Sequence, residues 1–436
     1  MEIIKRKAKE LGSNYVDLQV KRALADAEED KVLRYQEGAL NQAVCDKYLS
    51  CPNCHSNSPL KYSKENICCR ECGFTAEVNY GIPCLIKKGD RGGLSQKFLR
   101  SEQKDIGEII QIPLKPWRHG LLRAFFGQEI IHFLNLLYFA FKFSLKNIVC
   151  KKVRCADLEK ALAIKGFYRG YFQLYLKTSE KIQFRKMKKY IQKETLEIGC
   201  GECQATNFIF EDTVDSITFG CEYYMDGYLS NQAFINKERH EKLHQVIDYH
   251  IGGSITSMPF QSGVLGSVVM VHIVDHIVHV DQLFKEINRI LKPGGYLVMT
   301  SYSKKVFDHL PSVKLRSFFS KKWGAVYKER RIKRHCCSGD LLKNDFVYKA
   351  TGQNLLSINE WKELALRFGF ELAEFSFFGK YFSHFMDIGK RGYYNSLLFN
   401  NYIHSILSEM IEYEKKNPLS EEDATNVMLV FKKPLG

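Results

Sequence analysis

The 436-residue chain is long enough for two or three domains, and its 45% hydrophobic residues can build packed cores, which excludes a disordered chain. Its 64 Lys and Arg against 49 Asp and Glu give a net charge of +15, which favours an anionic partner such as nucleic acid, an acidic membrane surface or a phosphorylated substrate.

Residues 1–45, which begin MEIIKRKAKELG, predict a helical segment without the apolar core of a signal peptide. No apolar run in the chain reaches the length of a membrane-spanning helix. We therefore expect a cytoplasmic protein. Fourteen cysteines in a reducing compartment then indicate free thiols and metal ligation rather than a disulfide framework.

Residues 46–88 contain two C-x-x-C pairs, whose members are Cys51, Cys54, Cys69 and Cys72. The residues between the pairs can fold as a hairpin that brings four thiolates together, the ligand set of a structural zinc. Four sulfur ligands leave no open position, so catalytic zinc is not expected. Cys68 can replace Cys69 as ligand, and the register there stays open. The YGIPCLI that follows resembles the zinc ribbon of the small activator subunit of eukaryotic methyltransferases, and ribbons fused to bacterial methyltransferases.

Residues 89–179 predict an apolar helical connection to the next domain. The run GLLRAFFGQEIIHFLNLLYFAFKFSLKNIV has apolar residues on nearly every side but is interrupted by polar ones. We expect a buried helix or helical hairpin. The alternative is a peripheral membrane contact through 121–147, with the aromatics inserted and lysines near the headgroups.

A glycine-containing turn follows a short predicted strand at 195–198, in the sequence TLEIGCGEC. Gly199 and Gly201 permit close approach of a ligand's polar part and unusual backbone angles. After a second apolar run comes Glu222, and an acid at the end of a second strand can accept hydrogen bonds from both hydroxyls of a ribose. This spacing is shared by dinucleotide sites and adenosyl-cofactor sites.

The stretch from 255 to 303 predicts a strand at 267–272, a helix at 280–291, a Pro-Gly-Gly stop and a strand at 296–301. This order indicates a right-handed crossover in a parallel sheet. With the preceding turn, it resembles the class I S-adenosylmethionine-dependent methyltransferases, in the subgroup related to ubiquinone and menaquinone methyltransferases. The matching residues are Glu197, Gly199, Gly201, Glu222, 258–260, 274–276 and 291–295.

The resemblance spans roughly 180 to 434 and implies an α/β fold. We expect a Rossmann-like seven-stranded methyltransferase sheet with helices on both faces at 180–436, with an acceptor-lid insert at about 303–356. The small N-terminal zinc ribbon and the helical linker region precede it.

The resemblance also implies a site for S-adenosylmethionine, in which the first turn holds the methionine part, Glu222 the ribose and the loop around Ser257 and Met258 the adenine. The cofactor-binding candidates are Glu197, Gly199, Cys200, Gly201, Glu222, Tyr223, Ser257, Met258 and His272. For an acceptor that must lose a proton, His276 and His272 are candidate bases, with a structural role as the alternative.

Three positions depart from the family pattern. Cys203 replaces a third glycine, Ser254 stands where the family has an acid directed towards adenine, and Gly266 replaces another acid. The loss of one hydrogen bond to adenine weakens binding by about 1 kcal/mol without abolishing it.

The favoured function is methyl transfer to a small-molecule or lipid-linked metabolite. The insert combines aromatic residues such as Trp323 and Tyr327 with basic ones, which also suits single-stranded RNA. An RNA methyltransferase that grips phosphates with ribbon and lid is therefore the second hypothesis. A binding module that has lost activity is the third.

Overall fold

The computed structural model describes residues 40–56, 58–79, 82–88, 90, 155–158, 171–200, 217–223, 247–274, 277, 279–335, 355–382 and 400–436. Several predictions lie outside these residues: the helical segment at 1–39, almost all of the connecting region 89–179, the glycine Gly201, the departure Cys203, the candidate base His276 and the part of the lid at 336–354.

The described residues form one mixed sheet of eleven strands, in the order β1-β2-β3-β4-β7-β6-β5-β8-β9-β11-β10. The strands are β1 (Lys61–Tyr62), β2 (Asn66–Cys68), β3 (Thr75–Asn79), β4 (Ile82–Leu85), β5 (Glu194–Ile198), β6 (Ile217–Glu222), β7 (Tyr249–Gly253), β8 (Leu265–Val271), β9 (Leu291–Tyr302), β10 (Glu371–Phe378) and β11 (Asn426–Lys432). The α/β fold class predicted from the sequence is confirmed.

The central strands β7, β6, β5, β8 and β9 are parallel, and β11 and β10 close that end of the sheet with antiparallel pairing. From β5 the chain first adds strands on one side, β6 and β7, and then on the other, β8 and β9. The topological switch point therefore lies between β5 and β8, where ligands of open parallel sheets bind outside the carboxyl ends of the strands.

The cysteine-containing ribbon is part of this sheet. Strand β4 pairs in parallel with β7, with Cys84 opposite Gly252 and Leu85 opposite Gly253. The sequence predicted a small N-terminal ribbon that precedes the methyltransferase sheet and no pairing between them, because nothing in a local pattern reveals pairing between two distant segments. The structure instead places the ribbon as a continuous extension of the sheet.

Helices cover both faces of the sheet. They are α1 (Gln42–Tyr48), α2 (Tyr171–Met187), α3 (Val280–Ile290), α4 (Pro311–Phe319), α5 (Lys321–His335), α6 (Ile358–Arg367) and α7 (Asn400–Lys416). Alternate residues of a strand face opposite sides, and in β11 Leu429 packs with α3 and α6 whereas Met428 and Val430 pack with α2 and α7. In the part of the chain with assigned structure, no helix is long and apolar enough to cross a membrane.

The hydrophobic core on the α3 face continues into the ribbon. Tyr48 of α1 lies 5.1 Å from Phe219 of β6 between ring centroids, and Phe219 lies 5.4 Å from Phe260. Backbone contacts reinforce this packing, because Ser50 N donates to the Pro259 carbonyl at 3.2 Å. The ribbon and the methyltransferase-like part therefore share one core.

Candidate functional site

The turn after β5 lies at the switch point of the sheet. Gly199 has a φ of +65°, a left-handed conformation that glycine adopts most readily. Its N–H donates to the Cys221 carbonyl of β6 at 2.7 Å, and a Cβ at this position would overlap the side chain of Ile273, which follows β8. The sequence prediction of a glycine-dependent close turn agrees with this geometry.

Two predicted residues beside this turn are buried. The Glu197 side chain is buried near the end of β5, and Cys200 packs its sulfur against Gly220 of β6, since a Cβ on Gly220 would lie 3.0 Å from that Sγ. The thiol of Cys200 therefore fills the space between turn and strand. Contact between Cys200 and a ligand would have to come through its backbone.

Glu222 ends β6 at the same edge of the sheet, next to Gly252 of β7. Its Oε1 accepts a hydrogen bond from the backbone N–H of Tyr223 at 2.9 Å, which holds the carboxylate at the strand end. The Tyr223 hydroxyl in turn donates to the Asp90 carbonyl at 2.7 Å. Glu222, the acid predicted to bind a ribose, and Tyr223 therefore lie at the same edge of the sheet as the turn after β5.

The loop after β7 brings a third polar group to this edge. The hydroxyls of Ser254 and Thr256 are hydrogen bonded at 2.8 Å, and the Thr256 hydroxyl donates to the Asp90 carboxylate, at 2.9 Å from Oδ2 and 3.2 Å from Oδ1. Ser254 was identified from the sequence as a missing acid. The structure brings the carboxylate of Asp90 to this loop, and the Thr256 hydroxyl connects that carboxylate to the Ser254 hydroxyl. No motif in the sequence pointed to Asp90.

Two other predicted residues of that loop direct their side chains elsewhere. The Ser257 hydroxyl donates to the Pro52 carbonyl and lies 2.9 Å from His55 Nε2, and Met258 is fully buried in the core with its N–H on Glu286 Oε2 at 2.7 Å. Both residues hold the loop against the ribbon and the core. A role of these two residues in cofactor binding stays a prediction.

His272 follows β8 on the other side of the switch point. It has a φ of +51°, its N–H donates to the Thr300 hydroxyl at 3.1 Å, and its Nε2 lies 3.3 Å from Glu180 Oε1 on α2. The ring packs against Tyr302 with 5.2 Å between centroids. The structure thus pairs the predicted base with a carboxylate, Glu180, which no motif in the sequence revealed.

The departure at Gly266 has a packing explanation. A Cβ there would lie 2.6 Å from the Cβ of Gln192, whose N–H donates to the Ser267 hydroxyl at 3.0 Å. Any side chain at this position would displace Gln192. The missing acid therefore reflects local packing at the amino end of β8 rather than a change in the site at the carboxyl ends.

The four predicted cysteine ligands converge in the ribbon. Their sulfur atoms all lie within 4.8 Å of one another, with Cys51 and Cys72 3.5 Å apart and Cys54 and Cys69 3.7 Å apart. Gly73, with a φ of +70°, turns the chain directly after the last cysteine. This cluster contains Cys69 and leaves Cys68 in β2, which resolves the register left open by the sequence.

Hydrogen bonds and burial act oppositely on two of these thiols. The Asn53 amide donates to Cys72 Sγ at 3.5 Å and lowers the pKa of the Cys72 thiol to about 6. Burial raises the pKa of the Cys51 thiol to about 12. One of the four clustered thiols thus favours the thiolate form. A divalent cation bound by the cluster would stabilise all four thiolates.

A helical hairpin follows β9, within the predicted lid. Helices α4 and α5 expose Phe318 and Phe319, which are 83% and 70% accessible, together with Leu315 and Trp323. Residues 311–335 hold nine Lys and Arg against one Glu. Arg316 lies over the Tyr327 ring at 3.8 Å, so part of this charge is ordered against an aromatic face.

The comparisons with known proteins agree with this arrangement. A family model described as "Methyltransferase domain" matches residues 196–299, which run from β5 to β9 and include the turn, Glu222 and His272. Residues 196–299 therefore match a methyltransferase domain, which agrees with the enzyme class predicted from the sequence. No curated protein sequence matches the chain.

Solved structures with a similar arrangement include the [4+2]-cyclase SpnF, at 14% identity over 59% of this chain and 81% of that one, with a TM-score of 0.36. A geranyl diphosphate C-methyltransferase from Streptomyces coelicolor matches at 12% identity over 58% of this chain and 76% of that one, with a TM-score of 0.34. Similarity at this level carries no argument about substrate or partner.

Proposed function

We propose that this chain transfers a methyl group from S-adenosylmethionine to a small-molecule or lipid-linked acceptor. The observation that carries the proposal is the pair formed by the left-handed turn at Gly199 and the carboxylate of Glu222, at neighbouring strand ends of the matched domain. The sequence resemblance to the ubiquinone and menaquinone methyltransferase subgroup supports the same cofactor.

The residues at the switch point fit such a cofactor. Gly199 permits the left-handed turn whose main chain the polar methionine part can approach, and Ile273 packs where a Cβ would lie. Glu222 presents a carboxylate that can accept hydrogen bonds from both ribose hydroxyls. The backbone of the turn and this one side chain would thus hold the amino-acid part and the ribose of the cofactor.

When bound, the sulfonium of the cofactor supplies an already activated methyl group. The chain then has to orient the acceptor and exclude water, which accounts for much of the rate in a direct displacement. An acceptor hydroxyl or amine also loses a proton, and we assign the His272 imidazole to receive it at Nδ1, because Nε2 faces Glu180. Glu180 at 3.3 Å orients the imidazole and stabilises the positive charge that it acquires.

The hairpin of α4 and α5 favours a lipid-linked acceptor over RNA. Phe318, Phe319 and Leu315 form an exposed apolar tip that is costly in water, while Lys321 and Lys322 beside the tip are exposed cations. Apolar side chains that insert between lipids, flanked by cations for anionic headgroups, are the two components of interfacial membrane binding. We propose that this tip contacts an anionic lipid surface from which the acceptor enters.

The ribbon contributes a structural metal in this proposal. We assign zinc to Cys51, Cys54, Cys69 and Cys72, because four sulfur ligands in a closed cluster match the ligand set of structural zinc. The resemblance to activator-type ribbons supports the same role. Such a metal would hold the turn at Gly73 and, through β4, the edge of the sheet.

The first experiment is calorimetric titration of the purified chain with S-adenosylmethionine and S-adenosylhomocysteine. Micromolar binding of either supports the proposal, whereas no binding at millimolar concentration overturns it and favours a binding module. The acceptor class follows from incubation with S-adenosylmethionine labelled in its methyl group and separated metabolite, lipid and RNA fractions. Label in the lipid or metabolite fraction is expected, and label confined to RNA would contradict the proposed acceptor.

The role of His272 is tested separately from binding. His272→Gln should lower the transfer rate about 100-fold or more while S-adenosylhomocysteine affinity stays within twofold, because proton transfer is removed and the cofactor contacts remain. His309→Gln, a change of another partly buried histidine, is the matched control. Equal rates for His272→Gln and the control would remove His272 from the reaction.

A further inference from the structure

Asp90 occupies a position that the sequence order does not suggest. Strand β4 runs parallel to β7, so the residues after β4 emerge at the same edge of the sheet as the turn after β5 and as Glu222. Asp90 follows β4 and is held at that edge from two sides. Its carbonyl accepts from the Tyr223 hydroxyl at 2.7 Å, and its carboxylate accepts from the Thr256 hydroxyl at 2.9 Å.

Tyr223 connects Asp90 to the proposed ribose acid. The backbone N–H of Tyr223 donates to Glu222 Oε1 at 2.9 Å, and its hydroxyl reaches Asp90, so the tyrosine spans from one acid to the main chain of the other. An adenosine whose ribose binds Glu222 and whose base lies along the Tyr223 ring would direct the far end of its adenine towards Asp90. The aromatic face suits stacking of the flat base.

We propose that the Asp90 carboxylate accepts a hydrogen bond from the exocyclic amine of the cofactor's adenine, which rests on the proposed S-adenosylmethionine-dependent function. Ser254, in the loop after β7, offers only a hydroxyl that is already hydrogen bonded to Thr256 at 2.8 Å. A carboxylate accepts at two oxygens with about four lone-pair directions, so Asp90 can accept from the amine as well as from the Thr256 hydroxyl. The segment directly after the ribbon thus supplies an acid that the methyltransferase domain lacks at Ser254.

A carboxylate at this place makes a definite prediction about base selectivity. It accepts from the 6-amino group of adenine but repels the 6-oxo group of hypoxanthine, whose oxygen is also an acceptor. The wild-type chain should therefore bind S-adenosylhomocysteine about tenfold or more tightly than S-inosylhomocysteine, which differs at that substituent and at the neighbouring ring nitrogen.

The experiment compares both ligands by calorimetry for the wild type, Asp90→Asn and Glu65→Gln. Asp90→Asn presents an amide that can donate to the 6-oxo oxygen, so its preference should fall to about threefold or less, with most of the change in a weaker S-adenosylhomocysteine affinity. Glu65→Gln removes an exposed carboxylate from the ribbon, away from the proposed site, and should keep the wild-type preference.

The outcomes separate this inference from the function on which it rests. If the wild type binds neither ligand, the proposed function fails together with the inference. If the wild type binds both ligands equally, or if Asp90→Asn keeps the wild-type preference, the adenosyl site stands and Asp90 is excluded from it. Thr256→Val removes a neutral donor to Asp90 and keeps the carboxylate, so this variant should retain the preference for S-adenosylhomocysteine. If the variant loses that preference, the loop after β7 rather than the Asp90 carboxylate determines base selectivity.

Discussion

Replacement of Gly199 by alanine tests the turn on which the cofactor site depends. At a φ of +65° a residue with a Cβ costs about 1 kcal/mol in backbone strain. The same Cβ would overlap Ile273, and forcing extra volume into a packed contact costs about 1–3 kcal/mol. We therefore expect Gly199→Ala to lower the free energy of unfolding by about 2–4 kcal/mol.

Two reference variants separate these contributions in urea unfolding. Gly263 also has a positive φ, +68°, but a Cβ there meets nothing within 4 Å, so Gly263→Ala should cost only the backbone part, about 1 kcal/mol. In an Ile273→Ala background the overlap is absent, and Gly199→Ala should likewise cost about 1 kcal/mol. Equal losses for Gly199→Ala in both backgrounds would refute the assignment of the overlap to Ile273.

Four further predictions concern separate features. Glu222→Ala should weaken S-adenosylhomocysteine binding several-fold in calorimetry, and an unchanged affinity would remove Glu222 from the ribose site. Cys69→Ser should lose zinc by metal analysis whereas Cys68→Ser should keep it, because only Cys69 belongs to the cluster. Phe318→Ser combined with Phe319→Ser should reduce flotation with vesicles containing phosphatidylserine, and full retention would exclude the apolar tip as the contact. Burial opposes ionisation of Asp157, but its ion pairs with Lys415 and Arg185 prevail and lower its pKa. Its contribution to stability is therefore complete above the pKa of an unfolded aspartate and is lost as the pH falls towards the lower folded value. Asp157→Asn should remove that part of the acid dependence in urea unfolding, and an identical profile for wild type and variant would show that the pairs do not stabilise the fold.

Residues whose chemistry is specified by nearby sequence were predictable. The turn at Gly199 follows from a short apolar strand that ends in closely spaced glycines, and Glu222 follows from the end of the next strand. The cysteine cluster follows from two C-x-x-C pairs, although the choice of Cys69 over Cys68 needed the geometry of the hairpin. In each case the spacing along the chain predicts which segments meet.

Residues that act through distant pairing were not predictable. Asp90 and Thr256 are 166 positions apart and meet only because β4 joins β7. Glu180 lies on a helix before the domain, and its distance of 3.3 Å from His272 depends on how α2 packs on the sheet. The Ser257 hydroxyl likewise bonds to the ribbon, a contact between distant segments that the sequence did not predict.

The parallel pairing of β4 with β7 gives the ribbon two consequences at once. It covers what would otherwise be an exposed sheet edge, with unpaired N–H and C=O groups along β7. Because the pairing is parallel, it also sends the chain after the ribbon towards the carboxyl ends of the strands, where the turn at Gly199 and the acid at Glu222 lie. An antiparallel strand would have sent Asp90 to the opposite edge. The direction of one short strand thus links the proposed zinc site to the proposed adenosyl site. If both proposals hold, removal of the metal by a chelator should weaken S-adenosylhomocysteine binding in calorimetry, and an unchanged affinity would show that the two sites are independent.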